Sequence, residues 1–225
     1  MHLLLMTTLI LAASTAQAAW KVDGSLQPML YTHTQSGGLA NVKGTSLALA
    51  SIQAGVHYRR GDWQAELSHA RASFNLNVEG DANSAQLLRN GLLIRWDKVF
   101  VEYHQSQNPL VIEQTPTELE RLTSTWLGAG MRFDLPWTYW RAGGGIASQM
   151  SADITSYSVK SSSGIKLTGW VEYWQRLGDR KTPWNLNLKL FYESSTQSLK
   201  IKETTDKTKL SVEMLGLRIG LSYLF

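Results

Sequence analysis

The chain has no cysteine among its 225 residues, which excludes a disulfide framework and any thiolate metal site. It also lacks an apolar run of about 18 residues, the minimum for a membrane-crossing helix. Basic residues are not clustered, and a net charge of +4 argues little for nucleic acid. No phosphate-binding glycine loop, metal-ligand helix pair or nucleotide fingerprint occurs, so no cofactor and no metal are expected. Helical spacing of apolar residues is missing as well.

What is present is period-two patterning, punctuated by 18 glycines, 5 prolines and an aromatic set of 9 Trp, 8 Tyr and 5 Phe. The last eleven residues show it best. Odd positions hold Leu215, Leu217, Ile219, Leu221, Tyr223 and Phe225, while even positions hold Gly216, Arg218, Gly220, Ser222 and Leu224. Alternate side chains of a strand face opposite ways, so one face here is wholly apolar, and the chain ends on it with an aromatic. A strand facing lipid and ending in the aromatic belt of a membrane meets both conditions.

The order Arg218, Gly220, Tyr223, Phe225 resembles the C-terminal signal of bacterial outer-membrane β-barrel proteins. The resemblance covers eight residues and implies recognition by the barrel-assembly machinery, an outer-membrane location, and contact with outer-membrane lipid and lipopolysaccharide. It names no specific family and leaves the oligomeric state open.

The N-terminus reads as an export signal: an apolar stretch from Leu3 to Ala13, then Ala16-Gln17-Ala18 as a small-x-small cleavage site. Its n-region, Met1-His2, has no Lys or Arg. Cleavage after Ala18 makes 1–18 the signal peptide and 19–225 the barrel, a mature chain of 225 − 18 = 207 residues.

From Trp20 onward the alternation predicts ten strands, with eight or twelve as alternatives, in an all-β antiparallel up-and-down transmembrane barrel. The outward sets begin with Trp20, Val22, Leu26 and Leu30, then Ala48, Ile52, Val56 and Tyr58, then Trp63, Ala65 and Leu67. Pro28 cannot donate a ladder hydrogen bond, so a distortion is expected there. His69 and Arg71 continue the outward parity of the third strand, which would put them in lipid; either that strand leaves the membrane there or it carries a bulge. Four short turns, at Arg59 to Asp62, Asp97-Lys98, Pro136 to Thr138 and 178–183, alternate with five expected long loops. These are Thr34 to Gly44, Asn75 to Gln86, Gln107 to Leu122, Ser151 to Ser163 and Ser195 to Lys209. Tyr58, Trp63, Trp96, Phe133, Trp140, Tyr173, Trp184, Tyr223 and Phe225 should form an aromatic girdle at the short-turn end.

The opposite parity defines the expected lumen. It collects Glu66, Arg89, Arg95, Glu102, Arg132, Asp134, Arg141, Glu172, Lys189 and Glu193, with Lys166, Arg176 and Arg218. Charges out of water need partners, so this set forms either an ion-pair network filling a narrow barrel or the lining of a narrow, anion-biased channel. Lumenal Phe100, Trp126, Trp170, Trp174 and Phe191 count against a wide pore. A lipocalin-like soluble barrel would instead bury the apolar parity.

The catalytic reading with residues behind it is His104-Gln105-Ser106. His104 and Ser106 share a strand face, and Glu102 or Glu113 could orient the ring. The pair is loosely similar to the histidine-x-serine of outer-membrane lipid A deacylases, over three residues; parity puts it in the lumen, away from lipid. A rim protease would need His33 to converge with Asp81, Asp153 or Asp206, and no spacing brings them together. The functional expectation is therefore a barrel without enzymatic activity, structural or surface-interacting or a narrow channel, with a lipid A-modifying hydrolase as the alternative.

Overall fold

The computed structural model describes residues 19–78, 81–114, 117–178 and 183–225; the expected signal peptide lies outside them. Twelve strands form one sheet: β1 (Ala19–Leu26), β2 (Met29–Gly37), β3 (Val42–Ala48), β4 (Ala50–Arg60), β5 (Trp63–Val78), β6 (Asp81–Trp96), β7 (Val99–Gln114), β8 (Thr117–Asp134), β9 (Trp140–Ile154), β10 (Val159–Arg176), β11 (Trp184–Ile201) and β12 (Thr208–Leu224). Every neighbouring pair is antiparallel, and the β1–β12 pairing closes the ring.

Twelve strands occupy ten staves. β1 pairs with the last part of β12, from Ile219 to Leu224, and β2 pairs with its first part, from Thr208 to Gly216. β4 and β3 lie beside β1 and β2 in the same way. The first break falls at Gln27-Pro28, where the proline has no N–H to give the ladder. The second falls at Leu49, where the outward parity changes: Leu47 and Leu49 are exposed, and so is Ile52. Ala48, expected outward, is fully buried as a result.

Following one ladder row from Tyr223 through Val22, Val56, Leu67, Leu92, Tyr103, Leu127, Ser148, Ile165 and Thr196 returns to β12 at Ser211, a displacement of 223 − 211 = 12 residues. Such a shear over ten staves tilts the strands by about 40°. The 18 residues of β8 then rise roughly 45 Å at about 3.3 Å each, well beyond the lipid-facing band of about 25 Å typical of such barrels.

The excess height is where the expected long loops were placed, and there the structure corrects the sequence reading. All five stretches are mostly strand, joined by short connections such as 38–41 and 155–158. Along β5, Trp63 and Leu67 face out, whereas farther up Ala70, Ala72, Phe74, Leu76 and Val78 are buried inside. Near the girdle the apolar face is outside and the charged face inside; in the distal half this is inverted. The exposed large apolar side chains all belong to the girdle half or its edge, and the distal outer face carries residues such as Ser73, Asn75, Thr196, Ser198 and Lys209. Strand conformation persists while the solvent outside changes from lipid to water.

The girdle is present. Trp20 meets Tyr58, Trp63 stacks on Trp96, Trp140 meets Tyr173, and Tyr223 lies between Trp184 and Phe225, with centroids 4.8 to 6.0 Å apart. A closed antiparallel barrel with an apolar outer band and this girdle spans the bacterial outer membrane. At the short turns Gly61 and Asp97 adopt φ of 59° and 51°, the left-handed values that tight hairpins require.

The distal half closes over itself. The β6–β7 ladder ends at Leu88–Gln107 and the β9–β10 ladder at Ser148–Ile165, leaving the β7–β8 hairpin free to lean across the interior. Leu110, Val111 and Ile112 are buried in a core with Leu76, Leu122, Leu199, Ile201, Leu210 and Val212. From the other side of the ring, the Gln35 amide donates to the Val111 carbonyl at 2.6 Å and its Oε1 accepts from the Val111 N–H at 3.0 Å. That two-point bond locks the hairpin to β2.

Candidate functional site

Below the apolar core lies a polar layer. Gln197 Oε1 accepts from Ser124 Oγ at 2.7 Å and from Gln149 Nε2 at 2.8 Å, and Trp126 Nε1 donates to Ser106 Oγ at 3.2 Å. These bonds satisfy buried polar groups that would otherwise be costly to desolvate, while Gln197 Nε2 and Gln149 Oε1 are buried without a partner. A charged layer follows. Lys166, fully buried, donates to Glu193 at 2.8 Å and to His104 Nε2 at 2.6 Å, and Arg89 also bonds Glu193. His104 stacks on Trp126, over which the Lys166 ammonium sits 5.5 Å from the ring centre.

Toward the girdle the lumen opens into a cavity of about 290 Å³. Asp23 holds His57 and Arg218, the second at 2.5 Å, while His57 Nδ1 faces Glu66 at 3.2 Å. Arg218 also donates to Ser25 at 3.1 Å. Arg95 bonds Gln64, and Asn187 bonds Glu172. Arg141 pairs with Asp134 at 3.2 Å and lies over Trp174, and Lys189 lies over Trp170. Exposure varies among the inward side chains: Lys166 is 2 % accessible, Arg141 28 %.

Of the expected lumenal charges, Glu66, Arg89, Arg95, Glu102, Arg132, Arg141, Glu172, Lys189 and Glu193 line this cavity; Asp134 stands at its rim, largely exposed. Glycines on the β8 and β9 walls make room for the lumenal aromatics. A Cβ on Gly130 would come within 2.2 Å of Phe100, and one on Gly143 within 2.5 Å of Trp170. The bulky rings thus pack where the wall carries glycine instead of a side chain. Asp23 and His57 also belong to the network, and their inward parity beside Val22 and Val56 was the signal that could have found them.

His104 and Ser106 point into the same interior, but each has another partner, Lys166 and Trp126 respectively. Both are nearly inaccessible, behind the closed wall. The orienting carboxylates are not at hand either, since Glu102 forms none of the observed hydrogen bonds to His104 and the Glu113 side chain lies outside the described set. His33, the histidine available to a rim protease, is buried in the distal core, whereas Asp153 and Asp206 face solvent. Among the described residues no group of His, Asp and Glu could hold a metal ion.

One departure lies on the outer wall. His69 and Arg71 face outward with no bulge in β5, contrary to one of the two sequence expectations. His69 Nδ1 lies 2.7 Å from Asn90 Oδ1 on β6.

No protein-family model matches the sequence, and no curated protein matches it. Among solved structures, the chain is similar to the outer-membrane protease OmpT of Escherichia coli, at 7% identity over 94% of this chain and 98% of that one, with a TM-score of 0.48. It is similar also to the translocator domain of the autotransporter NalP from Neisseria meningitidis, at 12% identity over 99% and 95%, TM-score 0.44. The outer-membrane protein AlkL gives 14% identity over 95% and 92%, TM-score 0.40. At these values no residue role passes from those proteins to this chain.

Proposed function

We propose that this chain is a sealed outer-membrane barrel that works through its surface, as a structural or surface-interaction protein without enzymatic activity. The observation that carries the reading is the closed distal half: a packed apolar core bridged by Gln35 and Val111 stands across the path an ion would take. Planar-bilayer recording tests it, and the expected result is no defined conductance step. The second reading, a narrow anion-biased channel, is favoured by the cavity lining, where eight basic residues stand against five acidic ones. Reproducible steps whose anion preference falls in Arg132→Ala or Arg218→Ala would replace the sealed reading with the channel.

In this reading the girdle faces the periplasm, because both described termini lie there, and the distal half projects from the cell. Arg218, Gly220, Tyr223 and Phe225 serve as the assembly signal read by the barrel-assembly machinery during biogenesis. Single cysteines at Glu118, Ser162 and Asp206 should label on intact cells, whereas one at Asp62 should label only once the outer membrane is permeabilised. The reverse pattern would invert the orientation.

A further inference from the structure

Three outward residues climb β5 in the order apolar, polar, cationic: Leu67, His69, Arg71. Same-face neighbours on a strand are about 7 Å apart, so the series covers about 14 Å of the wall. Arg71 is paired with Ile52 on β4 and Leu88 on β6, both on the outward apolar parity, so the cation stands within the lipid-facing band rather than above it. No ion pair engages it among the described residues. A cation or a histidine facing hydrocarbon is unfavourable in a depth-dependent way, and polar residues at such a position require something to cover them.

The surroundings specify the cover. A shallow groove runs beside Val56, Leu67, Leu92 and Tyr103, floored by Gly55 and Gly91. Its polar end is the ladder row His69, Asn90, Gln105. Because His69 donates to Asn90 Oδ1, the Asn90 amide nitrogen is left to donate outward. From the girdle upward, the wall therefore presents an acyl-sized apolar groove, then amide donors at linkage depth, then a guanidinium. That sequence complements a phosphorylated acyl lipid lying alongside the barrel, with the phosphate uppermost.

We propose that this strip binds one lipopolysaccharide molecule of the outer leaflet, with a phosphate of its glycolipid head on Arg71, acyl-linkage oxygens on Asn90 and Gln105, and one acyl chain in the groove. The assignment to the outer leaflet rests on the orientation proposed above. It does not depend on whether the lumen conducts.

The purified full barrel, exchanged into lipid nanodiscs and released for native mass spectrometry, can be offered bisphosphorylated lipid A, its dephosphorylated counterpart, or phosphatidylglycerol. Wild type should retain one bisphosphorylated lipid A at least tenfold more tightly than Arg71→Ala, with partial recovery in Arg71→Lys. Dephosphorylated lipid A should bind wild type no better than the phosphorylated form binds Arg71→Ala. Arg60→Ala, at the girdle rim, should bind as wild type does, and heat-modifiable migration verifies that each variant is folded. Equal retention by folded wild type and Arg71→Ala would overturn the site, as would retention of phosphatidylglycerol as tight as that of lipid A. A disulfide-linked dimer formed through Asn90→Cys would overturn it too, by showing a second copy on this face. Failed labelling of Ser162→Cys on intact cells would refute the leaflet while leaving these affinities unchanged, so the two failures are separable.

Discussion

Replacing Glu193 with glutamine is expected to destabilise the barrel by about 3–5 kcal/mol, because it leaves two cations facing each other without their shared anion. Lys166 and Glu193 are 2 % and 5 % accessible, and Arg89 bonds the same carboxylate. Arg89, 29 % accessible, can turn to water, but the buried Lys166 ammonium cannot recover the solvation that the carboxylate supplied. Urea unfolding from lipid vesicles should show the lowered midpoint. The double variant Lys166→Met with Glu193→Gln should recover part of the loss, since the stranded ammonium is then gone. Asp134→Asn should change little, because its pairing with Arg141 sits at the rim with Asp134 64 % accessible, where ion pairs contribute at most about 1 kcal/mol. Equal effects at the two sites would mean that the upper lumen is wet.

The second large effect lies at neighbouring positions in a stretch whose sequence reads as a charged loop. Leu199 is fully buried in the distal core, while Ser198 faces outward. Leu199→Ala should cost about 2–5 kcal/mol by removing packed methyls and leaving a cavity, and Ser198→Ala should stay within about 0.5 kcal/mol. Trypsin would report the same contrast, since Lys200 and Lys209 stand in strands β11 and β12 and should become cleavable as the distal half loosens. A flexible loop would instead be cut in wild type, with neither substitution changing the outcome.

The failure to see those strands has a definite cause. A loop was inferred where the apolar alternation lost its phase, as at Asn75 to Val78 or Ser195 to Ile201. The chain had changed its solvent there rather than its conformation. In lipid the apolar parity faces out; in water the same geometry requires it to face in, and the phase shift marks the boundary. The lipocalin-like pattern, weighed as an alternative for the whole chain, describes the distal half alone. His69 and Arg71 are the opposite case, polar residues that keep the outward parity inside the band because β5 continues through them without a bulge.

By itself the sequence determined the strand character, the antiparallel order, the girdle and the inward parity of the lumenal charges, because each follows from period-two alternation and from residues adjacent in the chain. Only the tertiary structure decided which charge meets which, since Asp23 and Arg218, or Arg89 and Glu193, are brought together by barrel closure and shear across most of the chain. It alone decided that the distal half closes over an apolar core, because the lock between Gln35 and Val111 joins residues 76 positions apart. A repeat of two residues says which way a side chain points; what it finds there depends on a register fixed by the whole ring.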